Sequence, residues 1–176
     1  MANELWDVTY PFPFNSIGKA IERYYFQLYK RIPFLTISSS TRDDLIQKGV
    51  LNDNITVLSM GLTIPPILAQ QEKEKTPTLV FVGRLAKTKG VDVLLEVLQK
   101  VKAAYPNVKL WIVGRGDEGY QQKLHKAVAE QHLKNNVHFF GFVSERKKFE
   151  LMARSHIILV PSFKEGWGLI VPEAGR

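Results

Sequence analysis

From Thr78 onward, short apolar runs alternate with longer amphipathic stretches. Leu79-Val80-Phe81-Val82 is an unbroken apolar run closed by Gly83, the pattern of a buried strand. Val91, Leu94, Leu95, Leu98 and Val101 follow at helical spacing, and Pro106-Asn107 ends that helix. A second strand is predicted over 108–113, closed by Gly114, with Asp117 placed to cap a helix running to about His132. Val137-His138-Phe139-Phe140 predicts a third strand, closed by Gly141, and Ser144 is a suitable N-cap for a helix through Arg154. Ile157-Ile158-Leu159-Val160 predicts a fourth strand. Strands separated by single helices imply an α/β fold, a parallel sheet covered by helices on both faces. Such sheets bind ligands beyond the carboxyl ends of their strands, and Gly83, Gly114, Gly141 and Gly166 all fall at that edge.

The first part of the chain has a different texture. Tyr10-Pro11-Phe12-Pro13-Phe14 is irregular, and residues 17–31 predict an aromatic amphipathic helix stopped by Pro33. Its stripe of Ile17, Ile21, Tyr24, Tyr25, Leu28 and Tyr29 suits a core, a membrane or a partner, with the core expected. Phe34-Leu35-Thr36-Ile37 predicts a strand. Ser39 or Ser40 caps a helix running to Gly49, where glycine suits the C′ position, and Ile55-Thr56-Val57-Leu58 predicts another strand. Two strands and two helices cannot close a doubly wound domain. Residues 1–66 are therefore expected to be the tail of one domain, 67–77 a linker, and 78–176 a second, ligand-binding domain.

Composition narrows the chemistry. The 176 residues include no cysteine, which excludes disulfides, thiolate zinc sites and thiol nucleophiles. The start lacks a basic end followed by an apolar run, and no apolar stretch is long enough to cross a bilayer, so a cytoplasmic location is expected. A net charge of +7 favours anionic partners: nucleotide phosphates, nucleic acid or an acidic membrane surface. The cations are spread over several helices, so a solvated surface accounts for most of them. His125, His132, His138 and His156 have no ligand spacing, and no metal site is expected. Neither a P-loop nor a serine in a nucleophile elbow is present.

The richest segment is Ser162-Phe163-Lys164-Glu165-Gly166-Trp167-Gly168-Leu169-Ile170-Val171-Pro172-Glu173-Ala174. It sets Glu165 and Glu173 eight positions apart across a glycine-rich turn that opens a helix. Free N–H groups at a helix start seat phosphate, and a carboxylate on each side suits hydroxyls at the two ends of a sugar–diphosphate–ribose molecule. In a helix Glu173 stands roughly 7 Å along the axis from Gly168, and Pro172 fits only in the first turn. The bland alternatives are a helix-dipole role for Glu173 and a solvated loop for Glu165. Gly83-Arg84-Leu85-Ala86-Lys87-Thr88-Lys89-Gly90 offers Arg84 as a forked donor and Lys89 as a point charge for a diphosphate; its alternative is a solvated turn. Gly114-Arg115-Gly116-Asp117 is too short of glycines for a dinucleotide fingerprint and reads as a tight strand-to-helix turn. Gly141-Phe142-Val143 either holds a base under Phe142 or is a turn with a buried phenylalanine.

Taken in order, Phe81-Val82-Gly83-Arg84-Leu85, Lys89-Gly90, the Gly114 turn, Gly141-Phe142-Val143 and Glu165-Gly166-Trp167-Gly168-Leu169 with Glu173-Ala174 resemble the retaining glycosyltransferases of group 1, also called family 4. The resemblance covers residues 78–176, and residues 34–61 resemble the end of that family's first domain. It implies the GT-B architecture of two facing Rossmann-like domains, here incomplete. It also implies that Arg84 and Lys89 neutralise the donor diphosphate and that Glu173 binds the ribose. Glu165 then positions the transferred sugar with the amides of Gly166, Trp167, Gly168 and Leu169, while Phe142 and Val143 hold the base and the Gly83 and Gly114 turns line the site. The implied reaction is retaining transfer of a hexose from a nucleoside diphosphate sugar to a saccharide or lipid-linked acceptor, without metal or other cofactor. Work on cell-envelope polysaccharide or glycolipid, peripheral contact with the membrane, and no nucleic-acid partner are further expectations. The glycine-rich start and the closing elements of a whole member have no match here, so this polypeptide alone is expected to be inactive in transfer. One rival is a nonhydrolysing sugar-nucleotide epimerase, against which the Gly-Trp-Gly-Leu turn argues. The other is a basic nucleotide-, lipid- or nucleic-acid-binding module docking through its lysines and the 17–31 helix.

Overall fold

A computed structural model of the protein describes residues 6, 10–58, 61, 71–163 and 168–174. The chain divides into two compact units, Met1–Thr63 and Ile64–Arg176.

In the first unit, helix α1 (Phe14–Tyr29) precedes strand β1 (Phe34–Thr36), helix α2 (Ser39–Gln47) and strand β2 (Ile55–Val57). The strands pair in parallel, Phe34 with Ile55 and Thr36 with Val57. The N-cap of α2 is Ser38, one residue before the expected pair, because its Oγ reaches the Thr41 N–H at 3.2 Å. At the other end Gly49 takes φ +92°, and its N–H reaches the Ile46 carbonyl while that of Val50 reaches Leu45. This is the paired closure that a left-handed C′ glycine permits. Val50 and Leu45 then meet in a small core with Ile55, Phe26 and Phe34.

The stripe on α1 departs from expectation. Ile21 and Tyr24 are 64% and 67% exposed, and Ile17, Tyr25 and Leu28 are also exposed. The helix is held instead by another face. Glu22 pairs with Lys48, Gln27 Nε2 donates to the Lys48 carbonyl at 3.3 Å, and Phe26 enters the small core.

The second unit comprises β3 (Thr78–Val82), α3 (Val91–Ala104), β4 (Lys109–Val113), α4 (Glu118–Glu130), β5 (Val137–Gly141), α5 (Glu145–Arg154), β6 (Ile157–Ile158) and α6 (Ile170–Ala174). Its four strands are parallel in the order β5-β4-β3-β6. Side chains alternate across the pleat and fill two cores. Leu79, Phe81, Leu110, Ile112 and Val137 pack with α3 and α4 on one face. Val80, Val82, Trp111, Val113 and Phe140 pack with Leu151 and Met152 of α5 and Ile170 of α6 on the other. The expected sheet with helices on both faces is thus present. β6 is shorter than the apolar run 157–160, although the Leu159 N–H still reaches the Val80 carbonyl at 2.8 Å. Pro161, next but one, has no N–H with which to prolong the ladder. Of the expected linker, residues 67–70 lie outside the described residues. Lys73 and Glu74 are tied to the end of α5, Lys73 Nζ to the Ser155 carbonyl at 2.7 Å and Glu74 to the Arg154 guanidinium.

Candidate functional site

The strand order creates a switch point. From β3 the chain steps outward to β4 and then β5, with α3 and α4 on one face; it then returns across the other face through α5 to place β6 on the opposite side of β3. Right-handed crossovers in opposite directions must lie on opposite faces, and the carboxyl edge at such a switch point is where sheets of this kind bind ligands. The loops after β3 and β6 carry Gly83 to Gly90 and Pro161 to Gly168.

The two loops are locked together. The Phe163 N–H donates to the Thr88 carbonyl at 3.1 Å. Gly90, at φ +63°, lies so close to the Pro161 carbonyl that a Cβ there would be 2.5 Å from its oxygen. The sequence 87–89 forms a single tight turn, ending on that glycine, which opens α3. Lys89 is half-buried in it and Arg84 is exposed just before it.

Across the sheet the glycine turns come into line. The Gly83 N–H donates to the Val113 carbonyl at 3.0 Å, and the Gly114 N–H to the Gly141 carbonyl at 2.8 Å. Pairing continues beyond β3, where Leu85 bonds to the Arg115 carbonyl at 2.9 Å. Gly114 takes φ +136°, and the Oδ1 of Asp117 accepts the Tyr120 N–H at 3.0 Å to cap α4. The Gly114 segment is therefore the tight strand-to-helix turn read from the sequence. Phe142 is 75% exposed, which excludes the buried-phenylalanine alternative and leaves its ring open at the carboxyl edge of β5. Val143 turns inward onto the α5 core.

Glu165, Gly166 and Trp167 lie outside the described residues. Beyond them Gly168 (φ +62°) and Leu169 are half-buried at the start of α6, where the Val171 and Glu173 N–H groups bond to their carbonyls at 2.8 and 3.1 Å. Pro172 falls in the first turn, as its missing N–H requires. The Glu173 side chain is 15% exposed and pairs with Lys148 of α5, its Oε2 3.1 Å from Nζ. Lys148, 14% exposed, also meets Glu145 Oε2 at 2.9 Å. Burial pulls the Lys148 ammonium toward deprotonation, but the hydrogen bonds it donates to Glu145 and Glu173 outweigh it and its pKa rises. The geometry thus ties the loop after β3 to Phe163 and adds a cation to Glu173. Reading the sequence missed Lys148, since Lys147-Lys148 on an amphipathic helix has the signature of a solvated face and no spacing rule pairs it with position 173. Of the histidines, His156 Nδ1 accepts the Thr78 N–H at 3.1 Å, and His125 stacks on Phe139 with centroids 4.1 Å apart. Among the described residues no group of three or more His, Asp or Glu side chains has metal-holding geometry.

A family model described as glycosyl transferases group 1 matches residues 66–176. The chain is 29% identical over 139 residues to a GDP-mannose:cellobiosyl-diphosphopolyprenol alpha-mannosyltransferase of Xanthomonas campestris, covering 78% of this chain and 37% of that protein. It is 27% identical over 143 residues to a phosphatidylinositol N-acetylglucosaminyltransferase subunit of Schizosaccharomyces pombe, covering 80% of this chain and 31% of that protein. The chain therefore spans about a third of the length of these curated relatives. Among solved structures it is similar to TarM of S. aureus in complex with Fondaparinux, alpha-GlcNAc-glycerol and UDP (TM-score 0.74, 23% identity, 87% of this chain and 30% of that one). It is also similar to HepE of Anabaena in complex with UDP and glucose (TM-score 0.70, 22% identity, 86% and 44%). These likenesses fix the fold as Rossmann-like, of the GT-B type.

Proposed function

The chain belongs to the group 1 glycosyl transferases, and on that premise we propose that its second unit binds the donor, a nucleoside diphosphate sugar whose hexose the whole protein transfers with retention. The observation that carries this reading is the tie between the Phe163 N–H and the Thr88 carbonyl. It holds the loop that carries Arg84 and Lys89 against Phe163, two positions before Glu165 in the sequence, which supports their serving one donor site.

In this reading the guanidinium of Arg84 grips two phosphate oxygens in a fork and Lys89 adds a compact positive charge. Both stand where negative charge grows as the diphosphate departs, and fixed charge of that kind stabilises the transition state more than the ground state. The Glu173 carboxylate accepts the ribose hydroxyls, Glu165 positions the sugar, and the exposed Phe142 ring covers the base. The acceptor is a saccharide or a lipid-linked molecule; the Xanthomonas campestris relative is named for cellobiosyl-diphosphopolyprenol and the Schizosaccharomyces pombe one for phosphatidylinositol. Calorimetric titration of the chain with UDP and with GDP tests the reading. Arg84→Ala is expected to weaken the tighter of the two by about 10- to 100-fold, the value of one charge-assisted contact pair. Unchanged affinity in Arg84→Ala would remove the diphosphate from this loop.

The exposed stripe on α1 favours one addition, peripheral association with an anionic membrane on the cytoplasmic side. Ile17, Ile21, Tyr24 and Leu28 form the apolar face, and Arg23, Lys30 and Arg31 are exposed near it. Co-sedimentation with phosphatidylcholine–phosphatidylserine vesicles at low salt is the expected result, reduced several-fold in Ile21→Glu and by added salt. Equal recovery with and without vesicles sinks it.

A further inference from the structure

We propose that Lys148 is a positioning residue for the nucleotide: by holding one oxygen of Glu173 it aims the carboxylate at the ribose and so sets the preference for ribo- over deoxyribonucleotides. The inference rests on the reading of Glu173 as the ribose ligand.

The two partners differ in how firmly they are held. Lys148 projects from α5, which is capped by Ser144 Oγ on the Lys147 N–H at 3.3 Å and anchored in the core by Leu151 and Met152. At its far end Arg154 bonds to Glu74 and, at 3.0 Å, to Glu150. The Lys148 ammonium lies over the Phe149 ring, with Nζ 4.6 Å from the centroid. Glu173 belongs to a helix of 5 residues, too short to fix a side chain by its own ladder. The orientation of its carboxylate is therefore imposed from α5.

The arithmetic of acceptors permits this role. A carboxylate offers about four lone-pair directions, so one ammonium bond at Oε2 leaves capacity for two vicinal hydroxyls. Losing one hydroxyl of the ribose would leave part of that capacity unmet in a partly enclosed place, which is how a polar site discriminates. A surface ion pair would need none of this. Glu145, 76% exposed, already suffices as an i,i+3 partner for a solvated lysine, yet Lys148 is turned inward onto Glu173 as well.

The test compares UDP and GDP with their 2′-deoxy counterparts by calorimetry on the whole chain, each variant being checked for folding by far-UV circular dichroism. Lys148→Met is expected to weaken ribonucleotide binding about tenfold and to reduce the ribo-to-deoxy affinity ratio, while Lys148→Arg keeps both within about threefold. In a Glu173→Gln background Lys148→Met is expected to change nothing further, because its effect passes through that carboxylate. If Lys148→Met unfolds, Lys148→Gln is read by the same ratio. A lower melting temperature with an unchanged ratio makes the pair merely structural and overturns the inference. A ratio insensitive to Glu173→Gln overturns instead the reading of Glu173 as ribose ligand, and absence of binding by either nucleotide overturns both.

Discussion

Gly114→Val is expected to unfold the second unit or leave it at least about 3 kcal/mol less stable, through a positive φ that valine avoids and a backbone overlap that cannot relax. A Cβ at Gly114 would run into the carbonyl of Gly83, well inside contact distance. Neither side can withdraw. The Gly83 N–H is bonded to Val113 and the Gly114 N–H to Gly141, so the three adjacent strand ends are stapled at this level. Moving one glycine strains the others and displaces the Arg84 loop, so nucleotide binding should fall with stability. Urea unfolding followed by circular dichroism measures the effect. Gly61→Ala, whose Cβ would meet nothing within 4 Å among the described residues, is the control expected to behave as the native chain. A Gly114→Val chain with the native midpoint would show that the strand ends are not locked as described.

Asn136→Leu should cost about 2–4 kcal/mol, because it removes a buried donor shared by two carbonyls without opening a large void. Asn136 is 3% exposed, and its Nδ2 bonds to the carbonyls of Pro106 at 2.9 Å and Val108 at 2.8 Å. Its backbone carbonyl, which the substitution keeps, accepts the Leu110 N–H at 2.7 Å. One side chain thus joins the turn after α3, the entry to β4 and the entry to β5. Leucine is close in volume but donates nothing, and the Val108 carbonyl is left dry. The expected signature is a lower urea midpoint with an unchanged slope. A shift below about 0.5 kcal/mol, the level of an ordinary surface change, would mean that water replaces the amide.

The parts of this protein that local physics governs were legible in one dimension. The Leu94, Leu95 and Leu98 stripe became the buried face of α3, and β3, β4 and β5 ended at or beside Gly83, Gly114 and Gly141 as predicted. Asp117 and Ser144 cap the helices they precede, because a cap is a bond between residues three apart and needs no tertiary information. Where local choices were degenerate, position was lost: among three consecutive serines, Ser38 rather than Ser39 or Ser40 reached the Thr41 amide.

The destination of the α1 stripe was not legible either. Periodicity shows that a helix has an apolar face but not what lies against it, and here Phe26 and Glu22 anchor the helix while Ile21 and Tyr24 face outward. The alternating strands and helices by themselves determined a parallel layered sheet with glycines and cations along one edge. Only the tertiary structure decided that β6 lies against β3 rather than beyond β5, that Thr88 meets Phe163, and that Lys148 meets Glu173. The reason is one of range: propensity, capping and hydrophobic period act over a few residues, whereas strand order and a charge pair between two helices are set by how whole elements pack.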